Sequence, residues 1–215
     1  MNKINYEKLM KKCFNLAIRS KGENIPNPYV AAILFDEEKS EIISYGYHKK
    51  YGENHAEVNA IQNAKGNTKG KSLILNLEPC SHFGKTPPCA DLIIKSQIKK
   101  VIIAMKDPNP LVQGRGIEKL KKAGIEVIQG ILEEEAKELN KIFIKNILFK
   151  KPYVMLKTAT TLDSKIALLN KKSKWITNDI SRLEVQKLRS KYQAIMSASG
   201  TILADNPNLN VRLKN

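Results

Sequence analysis

His55-Ala56-Glu57, Pro79-Cys80 and Cys89 are the residues of this 215-residue sequence whose types and spacing suit chemistry best. One imidazole and two thiolates form a nitrogen/sulfur ligand set of the kind zinc takes. Three protein ligands leave the fourth tetrahedral position to water, as a catalytic zinc requires. Glu57 is the natural proton carrier beside them. Residues at i and i+2 do not share a helix face, so His55 and Glu57 converge only off the N-terminal end of a helix, where first-turn side chains lean outward. Cys89 also stands at a predicted helix start, where the helix dipole favours a thiolate. Two further readings stay open. One is a structural zinc site closed by His82 as fourth ligand; the other is a surface histidine with two ordinary cysteines and no metal.

The elements that must position these residues are legible as alternating patterns. Leu9, Cys13, Leu16 and Ala17 recur at helical spacing over residues 6–20, which places Cys13 in a core. After the breaker Pro26-Asn27-Pro28, the runs YVAAILF and EIISYGY read as a hairpin turned at DEEKS. There follow a helix HAEVNAIQNA, a strand SLILNL, a loop from Glu78 to Pro88, a helix CADLIIKS, a strand VIIAM, a helix GIEKLKKA, a strand IEVIQ, and an acidic-starting helix from Glu133. Strands alternating with helices predict a largely parallel α/β sheet covered on both faces. Lys150-Lys151-Pro152 ends the last helix, and a β-branched run, YVMLKTATTL, opens a second region. The predicted domains are 1–150 and 152–215. The second carries predicted strands at 153–159 and 193–198 around a helix near 180–191, and is small for an independent α/β fold.

Composition limits the remaining choices. Hydrophobic residues make up 42% and charged residues 27%, so disorder and a disulfide scaffold are poor readings. The longest apolar run, Tyr29 to Phe35, falls far short of the ~20 residues of a membrane span. No apolar stretch or small-residue cleavage site follows the basic start, so no signal peptide is expected and a cytoplasmic setting follows by default. Three cysteines in a reducing compartment are better suited to metal, core or catalysis than to pairing. There are 37 Lys+Arg against 21 Asp+Glu, giving +16. The lysines are spread as pairs at 11, 49, 99, 121, 150 and 171, which suits a solvated surface or attraction of a phosphorylated substrate better than a nucleic-acid face.

The pattern H-x-E followed by P-C-x-x-C belongs to zinc base deaminases, in which the Glu moves protons without binding metal. Here eight residues, Ser81 to Pro88, separate the two cysteines in place of two. With NPYVAA, HKKYGENHAEVNAI, NLEPCSHFGKTPPCADLII, AMKDPNPLVQGRGIEKLKKAGIEV, YVMLKTATTLDSKIA, SKWIT and ILADNPNL, the sequence resembles the bifunctional riboflavin-biosynthesis deaminase/reductase family from about residue 6 onward. The long PCSHFGKTPPC loop separates it from ordinary cytidine and tRNA adenosine deaminases, the alternative reading.

The resemblance implies a cytidine-deaminase-like three-layer α/β/α domain followed by the start of a dihydrofolate-reductase-like α/β domain. It implies hydrolytic deamination of 2,5-diamino-6-ribosylamino-4(3H)-pyrimidinone 5′-phosphate with zinc on His55, Cys80 and Cys89 and with Glu57 as the catalytic residue. Asn27, His48, Ser81, His82, Lys85, Thr86, Asp107 and Asn109 fall at substrate positions. Lys85 and His82 suit a phosphate, and Asn27, Asp107 and Asn109 suit a hydrogen-bonding ring and ribose. Turn or surface roles are the plainer readings of Asn27, His48, Lys85, Asp107 and Asn109. In the second region, Ala159, Trp175, Thr201 and Asp205 fall where the family meets NADPH, and Ser173, Arg189, Leu209 and Arg212 where it meets the reductase substrate. Ser164 and Ala198 stand where the family has glycine. The family's reductase runs past Asn215, so the resemblance implies an incomplete reductase, vestigial or completed by a separate chain or a homo-oligomer.

Overall fold

The structure is a computed structural model and describes residues 4–20, 22–83, 87–110 and 112–213. The chain divides into two units, Met1–Tyr153 and Val154–Asn215.

The first unit opens with helix α1 (Tyr6–Ala17), capped by the Asn5 side chain accepting from the Lys8 N–H. Strands β1 (Ala31–Asp36) and β2 (Glu41–Tyr47) form the expected hairpin. Helix α2 (Ala56–Asn63), strand β3 (Ser72–Leu77), helix α3 (Cys89–Lys95), strand β4 (Lys100–Met105), helix α4 (Arg115–Lys122) and strand β5 (Glu126–Gln129) follow in turn. Helices α5 (Glu133–Leu139) and α6 (Lys141–Phe149) complete it.

The sheet order is β2-β1-β3-β4-β5. β3, β4 and β5 pair in parallel as expected, whereas β1 runs antiparallel to both β2 and β3. The sheet is therefore mixed: only β1 runs against the rest, because the hairpin enters it from the edge. This topology decides where the chemistry sits. The C-terminal ends of β3 and β4 lie side by side, with Leu77 opposite Met105. The reversed β1 brings its start to that same end, and Tyr47 at the end of β2 pairs with Ala31. The segments carrying Asn27, His48, Cys80 and Asp107 thus all emerge at one edge of the sheet.

β1, β3 and β4 are buried throughout or nearly so, which is why they read as continuous apolar runs rather than alternating ones. Ala32, Leu34, Leu73, Leu75, Val101 and Ile103 pack with α2, α3 and α4 on one face. Ile33, Ile74 and Ile102 pack with α1 and α5 on the other. Each fully buried Leu or Ile contributes ~1.5–3 kcal/mol. Cys13 lies in this second core. At the far end of the sheet, Glu37 accepts from the Tyr6 and Ser72 hydroxyls, both at 2.7 Å, and pairs with Lys100 at 3.2 Å.

The second unit has helices α7 (Asp179–Arg189) and α8 (Ser199–Asp205). The strands expected at 153–159 and 193–198 are not formed. No residue described in 154–213 is buried, and Val154 and Leu156 stand 76% and 86% exposed. A helix closes its hydrogen bonds within itself, whereas a strand exists only against a neighbour. These segments find none among the described residues. No helix among the described residues is long and apolar enough to cross a membrane.

Candidate active site

His55 is the N-cap of α2, in extended conformation, and Glu57 lies in the helix's first turn with 3% exposure. The helix is strapped to β2. Ser44 Oγ donates to the Ala60 carbonyl (2.7 Å), and the Asn59 and Asn63 amides donate to the carbonyls of Tyr47 and Tyr45 (both 2.9 Å). Gly46 permits this approach, since a Cβ there would lie 2.4 Å from the Ala60 nitrogen. Cys80 follows β3 by three residues, and Cys89 is the first residue of α3.

The three candidate ligand atoms lie within 4.8 Å of one another. His55 Nδ1 is 3.3 Å from Cys89 Sγ and 3.7 Å from Cys80 Sγ. Tetrahedral zinc with ordinary bond lengths separates N and S ligands by ~3.5 Å and two S ligands by ~3.8 Å, so the donor set fits the ion. The Cys89 N–H also donates to Cys80 Sγ at 3.3 Å. The charges agree with a cation site. The hydrogen bond from Cys89, with help from His55, brings Cys80 down to about 4, while the neighbouring Cys80 and burial push Cys89 up. Two thiols this close share one proton, and a dication between them takes both as thiolates. Burial, above all, raises Glu57 above the usual carboxylate range.

Around this set lies a cavity of about 330 Å³, lined among others by Asn27, His48, His55, Glu57, Cys80, His82 and Asp107. His48 Nδ1 is 3.0 Å from the Asn54 carbonyl and its Nε2 is 2.9 Å from the Asn27 amide nitrogen. Nδ1–H donating to the carbonyl leaves Nε2 to accept from Asn27, which is the neutral imidazole. Burial holds its pKa below the ordinary value, in agreement. Asn24, fully buried, returns its amide to the Asn27 carbonyl (2.9 Å). Tyr29, two residues on, is clamped as well: Asn140 accepts from its N–H (2.8 Å), and both Asn76 and Asn140 donate to its carbonyl (2.7 and 3.1 Å). Asp107 accepts from the Asn109 N–H (2.8 Å), and burial pushes its carboxyl up to about 6.

Of the expected substrate residues, Asn27, His48, His82 and Asp107 thus line one cavity; Ser81 is half-buried beside Cys80, and Asn109 reaches it through Asp107. Lys85 and Thr86 lie outside the described residues. Glu78, Tyr51 and Phe143, which no sequence motif marks as site residues, line the same cavity. Glu78 carried one signal, its place directly before Pro79-Cys80.

The second unit is arranged differently. Arg189 and Arg212 both donate to the Asn208 carbonyl (3.2 and 2.9 Å), bringing α7 to the segment around Leu209. Trp175 is 70% exposed with the Arg182 guanidinium 4.3 Å from its ring centre, Thr201 and Asp205 lie exposed on α8, and Ala159 and Ser173 are half-buried. Side chains so exposed are not the wall of a dinucleotide site, and as they stand they do not fit NADPH.

Residues 3–105 match the model of the cytidine and deoxycytidylate deaminase zinc-binding region, and 152–215 that of the RibD C-terminal domain. The chain is 50% identical over 207 residues to riboflavin biosynthesis protein RibD of Bacillus amyloliquefaciens, across 96% of this chain and 55% of that protein. Over nearly its whole length, then, the chain is similar to RibD proteins. The Escherichia coli RibD is 42% identical over 206 residues, covering 96% of this chain and 56% of its own length. A Thermotoga maritima crystal structure, described as a diaminohydroxyphosphoribosylaminopyrimidine deaminase/5-amino-6-(5-phosphoribosylamino)uracil reductase, superposes with a TM-score of 0.91 at 48% identity, over 97% of this chain and 60% of that one. The chain spans about half the length of the curated RibD relatives it matches. The match to a zinc-binding region implies zinc for the first region, and the match to the RibD C-terminal domain implies NADPH for the second.

Proposed function

We propose that residues 1–150 form a deaminase domain that hydrolyses the ring amine of 2,5-diamino-6-ribosylamino-4(3H)-pyrimidinone 5′-phosphate, giving 5-amino-6-(5-phosphoribosylamino)uracil and ammonia in cytoplasmic riboflavin biosynthesis. The observation that carries this reading is Glu57, a buried carboxyl that lines the same cavity as His55 and Cys80, whose donor atoms cluster with that of Cys89. Bound by those three residues, zinc supplies a Lewis acid that makes hydroxide available from water near neutral pH. The Glu57 carboxylate takes the proton that the attacking water gives up and returns it to the departing amine, so one water is consumed for each ammonia released. Burial raises its pKa above the ordinary carboxylate value, which helps it hold the proton between acceptance and return. Neutral His48 holds Asn27 by its amide, which leaves the Asn27 carbonyl oxygen to accept from the pyrimidine. Asp107 faces the cavity from the opposite loop, and His82, with Lys85, is assigned to the phosphate.

NADPH-dependent reduction, the second activity in the Thermotoga maritima protein's description, needs more chain than residues 152–215 in this reading. Continuing sequence, a separate chain or a second copy would supply it. The test is ammonia release from the pyrimidine phosphate by zinc-loaded protein, with and without NADPH. Deamination without NADPH consumption is expected, and Glu57→Gln should retain the metal while losing ~10²–10⁴-fold in rate. Parent-like turnover in that variant, or inosine formation in tRNA in place of pyrimidine deamination, would sink the proposal.

A further inference from the structure

Glu78 sits between β3 and the ligand Cys80 with 3% exposure, and its carboxylate accepts four backbone hydrogen bonds. Oε1 takes the N–H groups of Gly116 and Ile117 at 3.0 and 3.2 Å. Oε2 takes those of Gly114 and Asp107 at 3.0 and 3.1 Å. Three of these donors belong to the start of α4. The N-cap there, Gly114, has no side chain to offer, so a carboxylate from another element satisfies the orphan amides and meets the positive end of the helix. The fourth bond does nothing for the helix. Asp107 lies well before α4, in the cavity wall, and binding its N–H fixes where that wall stands.

The same segment is held from a second side. A Cβ at Gly116 would lie 2.1 Å from the Pro79 carbonyl oxygen, so the first turn of α4 rests directly on the backbone that leads into Cys80. The Glu78 N–H in turn donates to the Met105 carbonyl at 3.0 Å, tying the ends of β3 and β4 together. One carboxylate therefore spans the metal-ligand segment and the Asp107–Asn109 turn.

We propose that Glu78 is a positioning residue for substrate recognition: it sets the distance between Asp107 and the His55–Cys80–Cys89 centre through its bonds to the Asp107 and Gly114 amides. This rests on the reading of Asp107 as a substrate contact. Removing the carboxylate leaves the Asp107–Asn109 turn without its anchor while the three donor residues keep their own supports: α2 strapped to β2, and the Cys89 N–H on Cys80.

A double-mutant cycle on the zinc-loaded full chain tests this, with steady-state kinetics on the pyrimidine phosphate for Glu78→Ala, Asp107→Asn and the pair. Glu78→Ala should keep its zinc, raise KM about tenfold or more and change kcat by less than about threefold. In the double variant KM should rise no more than about twofold above the larger single effect, because Asp107 has already lost its place. Fold-changes in KM that multiply in the double variant, or a fall in kcat at unchanged KM, overturn the positioning role while leaving the deaminase reading intact. An unchanged KM in Asp107→Asn overturns the reading beneath it. Glu78→Gln, which keeps one accepting oxygen, should give a smaller rise in KM. If neither Glu78 variant yields folded, zinc-loaded protein, the carboxylate serves the fold alone and the proposal fails.

Discussion

The two units of this chain differ less in composition than in what their apolar residues touch. In the first, Ile33, Ile74 and Ile102 are fully buried in three neighbouring strands. In the second, Leu162, Leu169 and Met196 stand 108%, 107% and 93% exposed, and among the described residues helices form but no strand. A helix is a property of one segment, while a strand is a relation between two, so a segment with strand-like residues and no neighbour keeps its propensity and loses its structure. The candidate zinc centre belongs to the unit where that relation is satisfied, and it depends on it. His55 comes from the β2–α2 connection, while Cys80 and Cys89 stand at the two ends of the β3–α3 connection, and they meet because the paired strands bring their ends to one edge.

The largest difference between the two units is expected at the metal. Cys89→Ser is expected to lower zinc from about one per chain to near zero and to abolish deamination, a loss of 10³-fold or more in order of magnitude, because two remaining ligands do not hold the ion. Full zinc by elemental analysis of the purified variant would remove the site. The next effect lies in the core. Ile102→Ala should cost ~2–5 kcal/mol in denaturant unfolding of the first unit, as deletion of a close-packed side chain does. Leu203→Ala, at a position 86% exposed, should stay within ~0.5 kcal/mol. Equal costs at the two positions would show that the second unit has a core of its own.

The smallest effect concerns Asp107. Its folded pKa of about 6 lies above the ~3.9 of an unfolded aspartate, so the folded state binds more protons between those values. Stability therefore falls as pH rises from ~4 to ~6 and is flat above. Asp107→Asn should remove that slope and raise stability by ~1–3 kcal/mol at pH 7, while weakening substrate binding. Thermal melts across pH 4 to 8 check it, and a variant that melts below the parent at pH 7 would contradict the cost assigned to this buried carboxyl.

The zinc donors were legible in the sequence because their chemistry is local: a histidine and a glutamate at a helix start, a cysteine after an apolar strand, a cysteine opening the next helix. The hairpin and the βα alternation were legible for the same reason, each having its own periodicity. The reversed direction of β1 was not, since alternation carries no information on strand order. Glu78 was missed because its four partners lie 29 to 39 residues away, and Asn140 because it binds Tyr29 across 111 residues. Polar side chains that bond distant backbone leave no mark on local pattern. The strands expected at 153–159 and 193–198 failed in the opposite sense, with a clear local signal and no partner to complete it.

Gly46 and Gly116 determine how this pocket is able to diversify. At both positions a helix touches strand-end backbone with no side chain between, so the walls carrying His55, Glu57 and Cys80 rest on hard stops that no substitution can pad out. Tyr51 and Phe143, large side chains among the residues that line the cavity, are the positions left to set the size of ligand accepted. A lineage exploring new substrates on this scaffold would rewrite those two residues and leave the glycines alone.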